Sequence, residues 1–400
     1  MKRNILFITG QFLPYTKSVG GILRVYSFLQ TLKNKHNLYL LTKKGHYYGY
    51  LGLQKKNLKK IKIFYLNNNN KVLTKNLLTV VIFNFYYFFR NLFYLLTIDN
   101  SFFSINGFYK KTLGIIEVQK INYIIISSPP FSLLYLIKKI KLIYPNIKII
   151  IDYRDSWTGR INSIFLYLIK FFLRHCLEKK IIKLADHILV ATNTIKSNLL
   201  QITKKKITII MNGFINSSKK ILFNKSKKIL IGYFGLVSDN YNSYRNISVL
   251  YNMLKNNKSL KKKYLFYFYG NNNITNLKIK NFSCFKFKKN ILYNKVLHKM
   301  AFMDYLLVLH TEKNSSKEVI TGKLYDYIGS RVPIIFISQG ETEGGKIIKK
   351  NNLGFSINYL KYNLAQFFLN LKKRNYIQKR KNLYFFSRRF QNQKLLRIIK

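Results

Sequence analysis

Short apolar runs recur along the chain, separated by longer amphipathic stretches. Asn4–Thr9, Asn37–Thr42, Ile61–Leu66, Tyr123–Ser128, Ile147–Asp152, His187–Ala191 and Ile207–Met211 each read as a strand. Several of these runs are apolar at consecutive rather than alternating positions. That is the pattern of strands buried on both faces of a parallel sheet. The intervening segments, such as Gly21–Lys33 and Phe131–Ile143, are long enough for crossover helices. A polar, lysine-rich stretch, Asn216–Lys228, then breaks the rhythm and reads as a linker. Beyond it the pattern restarts with Ile229–Phe234, Tyr264–Tyr269, Cys284–Phe287, Tyr305–His310, Pro333–Ser338 and Gly354–Ile357.

The expected fold is therefore α/β, with two Rossmann-like doubly wound domains over residues 1–215 and 228–376. The basic segment Ile377–Lys400 has a helical period and is expected to pack back on the first domain. Ligands of such sheets bind beyond the carboxyl ends of the strands. Two such domains facing a central cleft would hold their working residues just after strands.

Composition narrows the function classes. Lysine plus arginine is 71 against 13 acidic residues among 400, a formal charge of +58, while 48% of the chain is apolar. That apolar fraction excludes a disordered polybasic tail. Two readings of the lysine excess stay open: AT-rich codon usage, or attraction to anionic lipid or nucleic acid. No aromatic-basic RNA-binding motif and no zinc spacing appears, so nucleic acid is not an expected partner. Cys176 and Cys284 cannot build a disulfide framework, which fits a reducing, cytoplasmic setting. Lys2 and Arg3 precede an apolar run, but Gly10, Gln11 and Pro14 interrupt it too soon for a secretory signal. Leu77–Ile98 has spanning length but contains Asn84, Arg90 and Asn91. It and Ile161–Arg174 read either as core helices or as helices lying on an anionic leaflet.

Three clusters carry candidate chemistry. Gln11–Pro14 leads to Gly20-Gly21 directly after the first strand, where a glycine pair before a helix admits a ligand close to backbone amides. Asp152-Tyr153-Arg154-Asp155-Ser156-Trp157 ends a strand and holds the chain's single tryptophan. It is either an ion-pair cluster around Arg154 or a surface where Asp155 and Trp157 face a polyhydroxyl substrate. Glu318 and Asp326 are separated by seven residues across a turn entering a helix, with Thr321, Gly322 and Lys323 at its start. Amides and the helix dipole there favour a diphosphate, and a carboxylate one turn in suits ribose hydroxyls. The plainer reading is an acidic helix start with Gly329 as the C-terminal cap. His310 ends a strand and is either a donor contact or a core histidine. His175 and Cys176 lack further ligands, so no metal is expected.

Taken in order, these pieces resemble the GT-B glycosyltransferases, in the large retaining group called family 4. The resemblance runs over nearly the whole chain. It rests on Pro14, Gly20-Gly21 and Arg24, on Ser127–Pro130 and Asp152–Trp157, on Ala185–Val190 and Met211–Phe214, on Tyr233-Phe234-Gly235, and on Glu318 to Asp326. It implies transfer of a sugar from a nucleotide-diphosphate sugar to a glycan or lipid-linked acceptor, with retention, in cell-surface polysaccharide, lipopolysaccharide or glycolipid synthesis. No metal or other cofactor is implied. Glu318, Lys323 and Asp155 would be catalytic. Asp326, Gly322, Thr321, Arg245, Gly235 and His310 would bind the donor, and Gly20, Gly21, Arg154 and Trp157 would line the acceptor side. Cytoplasmic and peripheral inner-membrane placements both fit such acceptors.

This chain departs from the pattern in three places. The second acid is Asp326 where glutamate is usual. Ile215 stands where an aspartate is expected, and Leu236 replaces the usual arginine after Gly235. Either Arg245 supplies that charge or Lys323 acts alone. Two rivals remain: a nucleotide-sugar epimerase on the same scaffold, and a non-enzymatic basic protein that binds membrane or nucleic acid.

Overall fold

The computed structural model describes residues 2–17, 19–67, 99, 101–157, 175–218, 222–270, 272–311, 320–374 and 383–399. The chain divides into two compact units. One comprises Met1–Tyr50, Gln54–Ile210 and Lys394–Lys400, the other Leu51–Leu53 and Met211–Gln393. Leu77–Ile98 and Ile161–Arg174 lie outside the described residues.

Among the described residues, the first unit contains strands β1 (Asn4–Thr9), β2 (Asn37–Lys43), β3 (Ile61–Leu66), β4 (Tyr123–Ser128), β5 (Lys148–Tyr153), β6 (His187–Val190) and β7 (Ile207–Ile209). They form one parallel sheet in the order β3-β2-β1-β4-β5-β6-β7, with Ile5 paired to Leu38 on one side and to Tyr123 on the other. Helices α1 (Leu23–Leu32), α2 (Ile105–Gln119), α3 (Leu136–Ile143) and α4 (Asn193–Leu200) connect strands across it. Ile124, Ile125 and Ile126 are all fully buried, as are Ile149 and Ile151. That is what a sheet covered on both faces demands of its central strands. Phe131–Tyr135 forms a 3-10 turn ahead of α3, so the helix predicted from Phe131 begins five residues later.

The second unit repeats the plan. Strands β8 (Ile229–Phe234), β10 (Tyr264–Tyr269), β12 (Phe285–Lys288), β13 (Tyr305–His310), β14 (Ile334–Ser338) and β15 (Gly354–Asn358) make a parallel sheet ordered β12-β10-β8-β13-β14-β15. Helices α5 (Ser248–Lys255), α6 (Lys258–Lys263), α7 (Leu277–Lys280) and α11 (Leu364–Asn370) belong to this unit, as do α8 (Tyr293–Ala301), α9 (Gly322–Ser330) and α10 (Glu343–Lys350). Two apolar layers sandwich the sheet. One contains Leu250, Leu254, Leu260 and Phe368, the other Leu324, Tyr325, Ile328 and Ile348. Helix α12 (Arg388–Ile398) closes the chain. A small parallel pair, β9 (Val237–Ser238) with β11 (Asn272–Asn273), adds to this unit. The strand order, and not local propensity, brings these two segments together.

Three expectations are corrected. Trp157 is 2% exposed and stacks on Phe131 at 5.5 Å, so it belongs to the core and does not face a substrate. Gly329 is interior to α9, and the left-handed capping residue is Arg331 at φ 63°. A side chain at position 329 would stand 2.8 Å from the Phe214 ring, so close packing is the reason for glycine there. Asp152 pairs with Arg24 and not with Arg154: Arg24 Nε lies 2.8 Å from Asp152 Oδ1, both side chains being almost wholly buried.

That pair fastens three elements. The other Asp152 oxygen accepts the Ser127 hydroxyl at 2.9 Å, and Arg24 Nη1 donates to the Ile210 carbonyl at 2.5 Å. Helix α1 is thereby tied to β4, to β5 and to the chain just past β7. Replacing one member of a buried ion pair strands the other without compensation, at about 3–5 kcal/mol. Arg24→Met should therefore lower the urea unfolding free energy of the chain by that amount. A loss under about 1 kcal/mol would show that the pair is not structurally important.

Candidate active site

In both sheets the strand order reverses next to the first strand, between β1 and β4 and between β8 and β13. Crossovers leave to opposite faces at such points, which opens a crevice at the carboxyl ends of the strands. The residues singled out in the sequence divide between these two places.

In the first unit Gly20 and Gly21 form the turn just before α1, with Gly20 exposed. The Arg154 guanidinium reaches this turn. It donates to the carbonyls of Gly21 and Pro129, and at 3.4 Å to that of Ser128. Arg154 therefore ties the loops after β1, β4 and β5 together. Burial lowers its pKa, and the nearby Asp152 and Asp155 carboxylates act against that shift. Asp155 is half-buried in the turn after β5.

The second unit assembles the richer cluster. Helix α9 starts at Gly322, and the Thr321 side chain makes no capping hydrogen bond. The Thr321 hydroxyl is buried without a hydrogen-bond partner among the described residues. Among the described residues, a side chain at Gly322 would meet no atom within 4 Å. The first amides of a helix have no intrahelical acceptor and carry the positive end of its dipole.

Lys323, the second residue of α9, reaches back to β8. Its Nζ lies 2.5 Å from the Tyr233 hydroxyl and 3.8 Å from the centre of that ring. The Tyr233 hydroxyl in turn donates to the Leu236 carbonyl at 3.0 Å. Gly235 sits between them at φ +141°, and a Cβ there would stand 2.8 Å from Lys323 Nζ. Only glycine admits both that backbone conformation and that approach. The Arg245 guanidinium stacks on Tyr244 at 4.7 Å, and its Nε has no hydrogen-bond partner among the described residues. Burial first, and the Arg245 charge second, push the Lys323 ammonium well below its ordinary pKa. Two cations thus share a site that supplies Lys323 with a hydroxyl and an aromatic ring but, among the described residues, no carboxylate that raises its pKa.

Asp326 lies one turn further along α9. Its Oδ1 accepts the Tyr293 hydroxyl from α8 at 2.9 Å. Burial raises its pKa from 3.8 to about 6, although Tyr293 and Arg388 pull the other way. The next residue, Tyr327, accepts the Phe234 amide at 2.8 Å and so fixes α9 against β8. His310 ends β13 as a buried ring, 5.5 Å from Tyr244 and 4.9 Å from Phe336. Gly235, Arg245, Lys323 and Asp326 thus gather around the start of α9 and the loop after β8, with His310 packed against Tyr244. Glu318 lies outside the described residues. Tyr293 had no signal in the sequence and Tyr233 entered it only within the Tyr233-Phe234-Gly235 segment, because a tyrosine hydroxyl earns a role only from what it touches. Among the described residues no three His, Cys, Asp or Glu side chains come within metal-binding range of one another. No helix among them is long and apolar enough to cross a membrane.

No protein-family model and no curated protein sequence matches the chain. Solved structures do match it over almost its full length. A sucrose-phosphate synthase from Thermosynechococcus elongatus is similar at a TM-score of 0.63 and 10% identity, covering 99% of this chain and 94% of that one. The E. coli trehalose-6-phosphate structure bound with UDP-2-fluoro glucose gives 0.59 and 10%, with 99% and 95% covered. The S. aureus MnaA–UDP structure gives 0.53 and 10%, with 100% and 96% covered. The chain has the fold of these proteins: two Rossmann-like doubly wound units, the GT-B architecture.

The Asp326 shift has a sign that can be measured. A carboxyl that holds its proton more tightly when folded adds stability below about pH 3.8, and this is lost as pH rises through about 6. Asp326→Asn removes the charge and keeps an oxygen for Tyr293. Its urea midpoint should exceed that of the parent at about pH 7.5, and the gain should vanish near about pH 4. An equal difference at both pH values would place the effect elsewhere than in this carboxyl.

Proposed function

We propose that the chain is a glycosyltransferase that moves a sugar from a nucleotide-diphosphate sugar to a glycan or lipid-linked acceptor, with retention. One observation carries this reading: the Lys323 ammonium is held beside Gly235 at the open start of α9, with Arg245 close by. Two half-buried cations next to the first turn of a helix suit a diphosphate, whose charge grows as the bond to the sugar breaks. The diphosphate returns to Lys323 the opposite charge that its own surroundings deny it. Asp326 and Tyr293 face the ribose hydroxyls, and Glu318 orients the sugar. His310 contributes through Tyr244, as a wall of the donor side. Gly20, Gly21 and Asp155 line the acceptor side, with Arg154 holding their loops in place.

The fold is shared with structures described as sucrose-phosphate synthase and as bound to UDP-2-fluoro glucose, which supports a nucleotide-sugar donor. The charge of +58 and the aromatic, basic stretches Leu77–Ile98 and Ile161–Arg174 support a lipid-linked acceptor met at an anionic membrane face. Cell-surface polysaccharide, lipopolysaccharide or glycolipid synthesis would use such a reaction. A second reading, epimerisation of the nucleotide sugar, is favoured by the likeness to the epimerase MnaA.

Donor turnover tests the assignment. Removing one donor to a developing oxyanion costs about 3 kcal/mol. Lys323→Met and Glu318→Gln should therefore each reduce turnover at least about tenfold, with the circular dichroism spectrum unchanged. Undiminished rates in both would remove this site from the reaction. Incubation with donor alone separates the rivals, because an isomerised sugar without acceptor would establish the epimerase.

A further inference from the structure

We propose that Tyr233 is a positioning residue that holds the Lys323 ammonium in register with the loop after β8. The proposal rests on the reading of this site as diphosphate-binding. The loop opens with Gly235 and Leu236, and Leu236 brings no charge to it. Beside Arg245, further along the same connection, a second charge arrives from α9, on the flexible four-carbon stem of Lys323. Left loose, such a stem samples many rotamers, and ordering it on binding would cost affinity.

Tyr233 removes that freedom through two contacts. Its hydroxyl accepts from Lys323 Nζ at 2.5 Å, and its ring centroid lies 3.8 Å from the same nitrogen. An ammonium over an aromatic face is attracted by the ring quadrupole. Tyr233 is itself immobile: it is 1% exposed on β8, and its hydroxyl donates to the Leu236 carbonyl at 3.0 Å. The same oxygen therefore joins the lysine to the loop backbone in one continuous chain, from Nζ through Oη to the Leu236 carbonyl. Gly235 is bare at the one place where a side chain would push the ammonium aside. Among the described residues no carboxylate pairs with Lys323, so these contacts fix its position, and a bound anion would raise the pKa that burial and Arg245 lower.

The experiment is a double-mutant cycle read by calorimetric titration of UDP, GDP, ADP and dTDP into the full chain. The wild type should bind at least one of them, and Lys323→Met should weaken that binding. Tyr233→Phe keeps the ring and loses the hydroxyl, and should weaken it about tenfold, as expected for a hydrogen bond to a charged group. Tyr233→Leu loses both contacts and should weaken it further. In the Lys323→Met background neither tyrosine change should matter, since Tyr233 acts only through the lysine. A purely structural tyrosine would instead give additive losses, and that outcome overturns the proposal, as does Tyr233→Phe binding like the wild type. Binding of none of the four nucleotides by the wild type, or no loss in Lys323→Met, would defeat the reading of the site itself. Melting temperatures of each variant confirm that the folded chain is being titrated.

Discussion

Every pairing within the two large sheets is parallel, and this single constraint shapes the rest of the molecule. Parallel neighbours cannot be joined by a tight turn, so each connection must cross a face of the sheet and return. All carboxyl ends then emerge along one edge of each sheet. Where the strand order reverses, at β1/β4 and at β8/β13, successive crossovers depart to opposite faces. Loops distant in sequence meet there. The second unit uses this to bring residues 233–236, 244–245, 310–311 and 321–327 to one place.

The two units treat a buried cation in opposite ways. Arg24 is matched by the Asp152 carboxylate and the Ile210 carbonyl. Its charge is answered inside the protein, and the result is a joint between elements. Lys323 meets a hydroxyl, a ring face and, at longer range, a second cation. Among the described residues no carboxylate answers its charge. A buried charge without a counterion costs stability, and such a cost persists where a ligand removes it. The contrast separates a structural ion pair from a binding site more firmly than either residue's identity does.

The parallel strands were legible in the sequence because two-sided burial writes itself as consecutive apolar residues. Their predicted limits agree with the structure to within one residue, except that β7 ends two residues early, at Ile209. The glycine turn before α1 and the start of α9 were legible too, since glycine and a following apolar period mark a helix entry. Side-chain allegiance was not. Trp157 read as facing a polyhydroxyl substrate, yet it stacks on Phe131 in the core. Arg154 read as the centre of an ion-pair cluster, and the structure shows its guanidinium donating to backbone carbonyls with the Asp152 and Asp155 charges close by. Gly329 looked like a cap, yet Phe214 crowds it from another segment.

What the sequence determined by itself was the periodic layout: which residues form strands, which cross over, and where the lysine-rich break falls. Those properties depend on neighbours two to four positions apart, which any reading along the chain can see. Tertiary structure alone decided that Tyr233 meets Lys323 across 90 positions, that Tyr293 meets Asp326 and that Arg24 meets Asp152. Those contacts depend on strand order and on the face to which each crossover departs. Neither is encoded in local spacing, because hydrophobic burial is non-directional and accepts many partners, whereas a hydrogen bond accepts only the group that the fold delivers within about 3 Å.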